Sequence, residues 1–217
     1  MTALVICTAL GVEARAVRRG LRGLTGLAGV AGVNGLAGLT EPPVVFRTGM
    51  GPERAARAAA RLPPWTALAV TGFGGAVDAT LRPGDVLVAT EVRCGNRSWP
   101  CPSAAFLESE LARAGLPAGT GPLVTSARIV GGVTRGRLAR QGARAVDMES
   151  APLAEAAGPR PFAALRVIVD APGAPLPSLA ALRGALSARI TLGRIGPVLV
   201  RWAARETCPQ NRKEAGP

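Results

Sequence analysis

At 217 residues, 48% hydrophobic and 18% charged, the chain has the length and apolar content for one α/β domain with a sizeable core. It contains no histidine, which excludes the usual Ser-His and Cys-His nucleophile arrangements and leaves general acid and base work to carboxylates. The net charge of +12 is carried by arginine, with Lys213 the one lysine. That suits either a solvated basic surface or an anionic partner such as phosphate or an acidic membrane, while scattered arginines and 3% aromatic residues argue against nucleic acid.

The apolar start, residues 1–10, lacks a basic n-region and a convincing cleavage site, so a buried strand over Ala3–Thr8 and a cytoplasmic location are expected. A helix follows from Gly11 to Leu21, with Gly11, Glu13 and Arg15 at the strand-to-helix turn. The first N–H groups of a helix suit an anion, and Arg15 adds a charged fork; an acid near a helix start with an arginine on the solvated face is the equally common alternative. Glycine then recurs at 23, 26, 29, 32, 35 and 38. Without proline, and too short for a triple helix, this stretch is expected to be a loosely ordered excursion over residues 23–41 that carries no chemistry.

Pro43–Thr48 reads as the next strand, Gly49-Met50-Gly51-Pro52 as a tight turn, and Glu53–Leu62 as a helix, without the third glycine of a dinucleotide fingerprint. Arg47, at the strand end, is a candidate anion ligand or an ordinary surface residue. Thr66–Thr71 is a buried strand opening into a loop, Gly72-Phe73-Gly74-Gly75-Ala76, where glycines permit a ligand to approach the backbone. Asp85–Thr90 is a strand, 91–103 a loop, Ala104–Ala114 an amphipathic helix, Gly121–Ala127 a strand, and Gly136–Gly142 part of a short helix. Cys7, Cys94, Cys101 and Cys208 show no C-x-x-C spacing, so reduced thiols, no metal and no cofactor are expected.

Residues 143–172 bring three of the chain's few acids to the ends of apolar strands. Ala143–Val146 is a short strand ending in Asp147-Met148-Glu149, Ser150–Ala157 a helix, and Phe162–Val169 a near-continuous apolar strand covered on both faces and ending in Asp170. Ligands in open α/β sheets bind at the carboxyl ends of strands, so Asp147, Glu149 and Asp170 suggest one acidic pocket. The plainer alternative is that Glu149 caps its helix and Asp170 starts a turn. Pro177–Ala204 reads as two helices, with Leu179, Leu182, Leu186 and Ile190 on the first and Ile195, Val198, Leu199 and Trp202 on the second, followed by a polar tail over 207–217. These helices either pack on the sheet or, with Arg183, Arg189, Arg194, Arg201 and Arg205 around them, form a basic face that makes weak peripheral contact with an anionic membrane. The expected fold is α/β: a single domain over 1–206 with a mixed, mainly parallel central sheet and helices on both faces.

Four ordered signals, GVEAR, GMGPERAA, TGFGGAVDATLRPGDVLVATEV, and VDMES followed by RVIVD, resemble the nucleoside phosphorylase and nucleosidase superfamily. The VDMES sequence, the LRPGD turn and the LPSLAAL continuation are most similar to hopanoid-associated phosphorylases, thought to remove adenine from adenosylhopane. The resemblance implies a small-molecule adenosyl substrate, with Glu149 on the ribose hydroxyls and Met148 packed against the sugar. Asp170 would be the acid that protonates purine N7, and Glu13 the acid that activates water. It also implies a phosphate or water site at Gly11, Arg15 and Arg47, and a base loop of Gly72, Phe73, Gly74 and Ile129. Phosphate would be a co-substrate in a phosphorolysis, and a homo-oligomer is expected. The chain departs from the family at Val70 and Phe73, where hexameric phosphorylases hold phosphate with arginine and serine. It departs again at Val169, where serine or threonine is common, and at Arg128 and Ile129, where nucleosidases place an aromatic. The alternatives are a methylthioadenosine/S-adenosylhomocysteine-type nucleosidase and an inactive nucleoside-binding protein.

Overall fold

A computed structural model describes residues 3–25, 39, 41–172 and 179–207. Most of the glycine-rich excursion, residues 173–178 and the tail beyond 207 lie outside the described residues, as do the side chains of Leu179, Leu182 and Leu186.

The elements are β1 (Leu4–Thr8), α1 (Gly11–Thr25), β2 (Val44–Arg47), α2 (Pro52–Ala59), β3 (Ala67–Ala76), β4 (Val86–Cys94) and β5 (Arg97–Pro100). They continue with α3 (Ala104–Arg113), β6 (Ala118–Thr125), α4 (Gly132–Arg140), β7 (Ala145–Asp147), α5 (Ser150–Ala157), β8 (Phe162–Asp170) and α6 (Leu179–Thr207).

β1 is buried along its whole length because both of its faces are covered. Leu4 and Ile6 join a core built with α1, α3 and α6, and Val5 and Cys7 join a second core built with α2 and α5. The period-2 alternation of the strand thus feeds two helical layers, one on each face of the sheet. β2, β1, β3 and β8 run parallel side by side. β8 then pairs antiparallel with β4, β4 parallel with β6, β6 parallel with β7, and β7 antiparallel with the far end of β3. The strands β3, β8, β4, β6 and β7 therefore close into a ring, where the sequence suggested an open sheet.

Three further elements differ from expectation. The segment Gly72–Ala76 is the second half of β3 and not a loop, because it pairs with β8 through Phe73 and Gly74 and with β7 through Gly75 and Ala76. Residues 97–100 form a strand that hairpins onto β4, with Gly95 at φ +58° in the turn. The C-terminal segment is one helix with Pro197 inside it, not two helices. Ile195, Val198, Leu199 and Trp202 are fully buried in the first core, which is the packing alternative, while Ile190 is exposed. Helix α1 lies against α6 so closely that a Cβ added to Gly20 would meet the Gly193 carbonyl at 1.7 Å. Among the described residues no helix is long and apolar enough to cross a membrane.

Candidate active site

The carboxyl ends of β3, β7 and β8 meet the first turn of α1 around a cavity of about 950 Å³. Of the residues named from the sequence, Glu13, Phe73, Gly74, Ile129, Met148, Glu149 and Asp170 line it, together with Asp147. Gly11, Arg15, Arg47 and Gly72 are not part of its wall. Three of these nevertheless gather beside it: a Cβ placed on Gly11, next to the cavity-lining Leu10, would lie 3.6 Å from a guanidinium nitrogen of both Arg15 and Arg47. Both arginines are exposed.

Glu13 is 1% exposed, and its two carboxylate oxygens accept the backbone N–H groups of Leu10 and Phe73, each at 2.7 Å. Burial pushes its carboxyl above the ordinary glutamate range, against the pull of those N–H groups and of Arg166. Glu149 stands at the N-cap position of α5 but makes no capping bond with its side chain. Capping falls to Asp147, which accepts the Ser150 N–H at 3.0 Å and the Ser150 hydroxyl. Glu149 instead accepts the Gly51 N–H at 2.9 Å, and burial raises its carboxyl as well, opposed chiefly by Arg166.

Arg166, in the middle of β8, is fully buried and was not singled out from the sequence. It pairs with Asp147 and reaches Glu149 at 3.4 Å, the Ser150 hydroxyl at 3.2 Å and the Phe73 carbonyl at 3.4 Å. Burial works against its charge, yet Asp147, Glu149 and Glu13 hold the guanidinium above its ordinary value. The available signal was the arginine itself, since a charged residue inside a strand covered on both faces needs a buried partner.

The glycines of β3 also serve the chain's own side chains. A Cβ on Gly72 would lie 2.7 Å from Glu13 Oε1, one on Gly74 2.9 Å from the Arg166 side chain, and one on Gly75 2.7 Å from Asp170 Oδ1. They make room for three charged side chains of the chain itself. A bulge helps: β8 skips Val169, so that Asp170 comes opposite Gly75. Asp170 is paired with Arg135 of α4. Among the described residues no cluster of three His, Cys, Asp or Glu side chains is disposed to hold a metal ion.

Comparison with known proteins identifies relatives of this architecture. The family model described as the phosphorylase superfamily matches residues 4–180. The fold is similar to that of the 5′-methylthioadenosine/S-adenosylhomocysteine nucleosidase of Neisseria meningitidis in complex with methylthio-immucillin-A, at 18% identity and a TM-score of 0.70, covering 93% of this chain and 100% of that one. The corresponding nucleosidase of Colwellia psychrerythraea in complex with adenine gives 19% identity and a TM-score of 0.66, covering 91% and 96%. The futalosine hydrolase of Helicobacter pylori gives 15% and 0.71, covering 91% and 97%. No curated protein matches the sequence.

Proposed function

Because the chain belongs to the phosphorylase superfamily, we propose that it is an enzyme acting on N-glycosidic bonds, releasing adenine from an adenosyl compound whose 5′ side carries a large apolar group. The leading candidate is adenosylhopane in hopanoid biosynthesis. The observation that carries this reading is the cavity. At about 950 Å³ it lies at the upper end of the roughly 300–1,000 Å³ of small-molecule sites, and its rim exposes Leu10, Met50 and Ile129, apolar side chains that a ribose and a base alone do not require.

In this reading Asp170 protonates the purine at N7, so that the base leaves as a neutral molecule while the sugar becomes cation-like. Glu149, fixed by the Gly51 N–H and Arg166, binds the ribose hydroxyls, with Met148 against the sugar. Glu13 orients the nucleophile. Its raised carboxyl suits it to take a proton from water, which favours hydrolysis as the second reading, as do the nucleosidase and hydrolase names of the structural neighbours. The convergence of Arg15 and Arg47 on Gly11 at the start of α1 supports phosphate as the nucleophile in place of the absent arginine and serine at Val70 and Phe73. A homo-oligomer belongs to the same proposal, as does weak, salt-sensitive contact with anionic membranes. The exposed Ile129 beside Arg128 at the cavity mouth suits that contact better than the buried face of α6.

The test is adenine release by the purified protein from adenosyl substrates of increasing apolarity, with and without phosphate, beside Asp170→Asn and Glu149→Gln. Full activity in the Asp170 variant overturns the assignment. Dependence on added phosphate selects phosphorolysis, and adenine binding without any turnover selects the inactive nucleoside-binding alternative.

A further inference from the structure

The residue before Asp170 is Val169, so the carboxylate receives no hydroxyl from its own strand. Its partner comes from 35 positions earlier in the chain. Arg135, on the second turn of α4, donates a guanidinium N–H to Asp170 Oδ2 and a second one, at 3.1 Å, to the Val130 carbonyl. Both side chains are largely buried, 11% exposed for Arg135 and 14% for Asp170, and both line the cavity. The helix that supplies Arg135 has no fully buried residue and packs through the partly buried Leu138 and Ala139. An arginine held this tightly on so lightly packed a helix is directed at the carboxylate.

We propose that Arg135 is the positioning residue for the acid of the glycosidic cleavage, an inference that rests on the reading of Asp170 given above. A guanidinium is protonated throughout and has no lone pair, so Oδ2, engaged by Arg135, neither passes a proton to it nor takes one from it. The transferable proton therefore sits on Oδ1. As it moves to purine N7, the C1′–N9 bond breaks with its electron pair going to the base, and Asp170 is left as a carboxylate. That negative charge develops during the reaction, beside a cation already in place and partly shielded from water. Such an interaction strengthens from ground state to transition state, so it raises kcat more than it lowers KM. Arg135 donates no proton to the substrate in this scheme and ends the cycle as it began.

The experiment compares two leaving groups. Purine departure from methylthioadenosine needs a proton at the base; para-nitrophenolate departure from para-nitrophenyl β-D-ribofuranoside needs none. Arg135→Met and Asp170→Asn are each expected to lose on the order of 100-fold in kcat on methylthioadenosine. On the nitrophenyl riboside, both are expected to stay within about threefold of the parent protein. KM for methylthioadenosine should change little in Arg135→Met, and Arg135→Lys should recover part of the loss, because it restores a cation without the planar fork. If Arg135→Met unfolds, Arg135→Gln takes its place in the same comparison. Equal losses on both substrates make Arg135 a structural tether of α4 and overturn the proposal, as does an unchanged kcat on methylthioadenosine. If the parent protein releases adenine from no adenosyl substrate, apolar ones included, with or without phosphate, the functional reading itself fails and this inference falls with it; if it turns over only an apolar adenosyl substrate, that substrate replaces methylthioadenosine in the comparison.

Discussion

Replacing Arg166 with methionine removes the cation at the centre of the site while keeping an unbranched apolar stem. The guanidinium is fully buried and serves Asp147, Glu149, Ser150 and the Phe73 carbonyl, so its loss leaves two buried carboxylates without their common partner. Removing one member of a buried ion pair costs about 3–5 kcal/mol. The Thr125 hydroxyl still donates to Asp147 at 2.7 Å and the Gly51 N–H to Glu149 at 2.9 Å, which places the expectation at the lower end. About 3 kcal/mol corresponds to a fall in Tm of roughly 6–12 °C for a domain of this size. The loss also depends on pH. Burial already raises the Glu149 carboxyl and Arg166 draws it down, so without Arg166 it rises further. A carboxyl raised in the folded state contributes stability that is present below its unfolded pKa and is lost as pH rises through the folded one. Urea unfolding at about pH 5 and about pH 8 should therefore show the larger loss at the higher pH. A loss below about 1 kcal/mol, or one equal at both pH values, refutes the reasoning.

Gly75→Ala puts a Cβ 2.7 Å from Asp170 Oδ1. Its φ is not positive, so the effect is steric alone: a stability cost of about 1–3 kcal/mol and, from displacing the carboxylate, a fall in kcat of about 100-fold. Steady-state turnover of methylthioadenosine beside a melting curve measures both, and unchanged kcat counts against the assignment of Asp170. For Glu13, whose carboxyl is raised by burial, the folded state binds more protons than the unfolded chain. The stability of the parent protein minus that of Glu13→Gln should therefore fall as pH rises from about 4.3 upward, and a difference that grows with pH contradicts this. Thr71 is fully buried and its hydroxyl has no partner, so the isosteric Thr71→Val should stabilise by about 1 kcal/mol in chemical unfolding. A destabilisation of similar size would mean that the hydroxyl is hydrogen-bonded after all.

The elements whose local pattern and tertiary surroundings agree were legible in the sequence. The five buried residues of β1 and the helix Ser150–Ala157 fall where the residue pattern puts them, because an apolar run and a Gly158-Pro159 stop are local properties. Gly72–Ala76 was not legible as strand. Glycine weakens strand propensity, and what fixes the segment is pairing over long range, Gly75 with Val146 of β7, 71 residues on, and Gly72 with Arg166 of β8, 94 residues on. Arg166 and Arg135 escaped for the same reason. Their partners lie 19 and 35 positions away, so an arginine in an apolar strand or on a polar helix shows its use only once the elements are assembled. The single long α6 is a tertiary effect too: burial of Ile195, Val198, Leu199 and Trp202 offsets the cost of Pro197 inside the helix. The hairpin at Gly95-Asn96, by contrast, carried a readable turn signal between two strand-like runs.

Each glycine of β3 is the negative imprint of a charged group held by another element, so neither half of such a pair can drift alone. A side chain arriving at position 75 would evict the carboxylate at 170, and one at 72 would evict the carboxylate at 13. Across chains that share this fold, substitutions at 72 and 13, and at 75 and 170, should therefore arise in tandem. A lineage that abandons the chemistry would be free to fill both glycine positions at once, leaving a record of lost activity in residues that carry no side chain of their own.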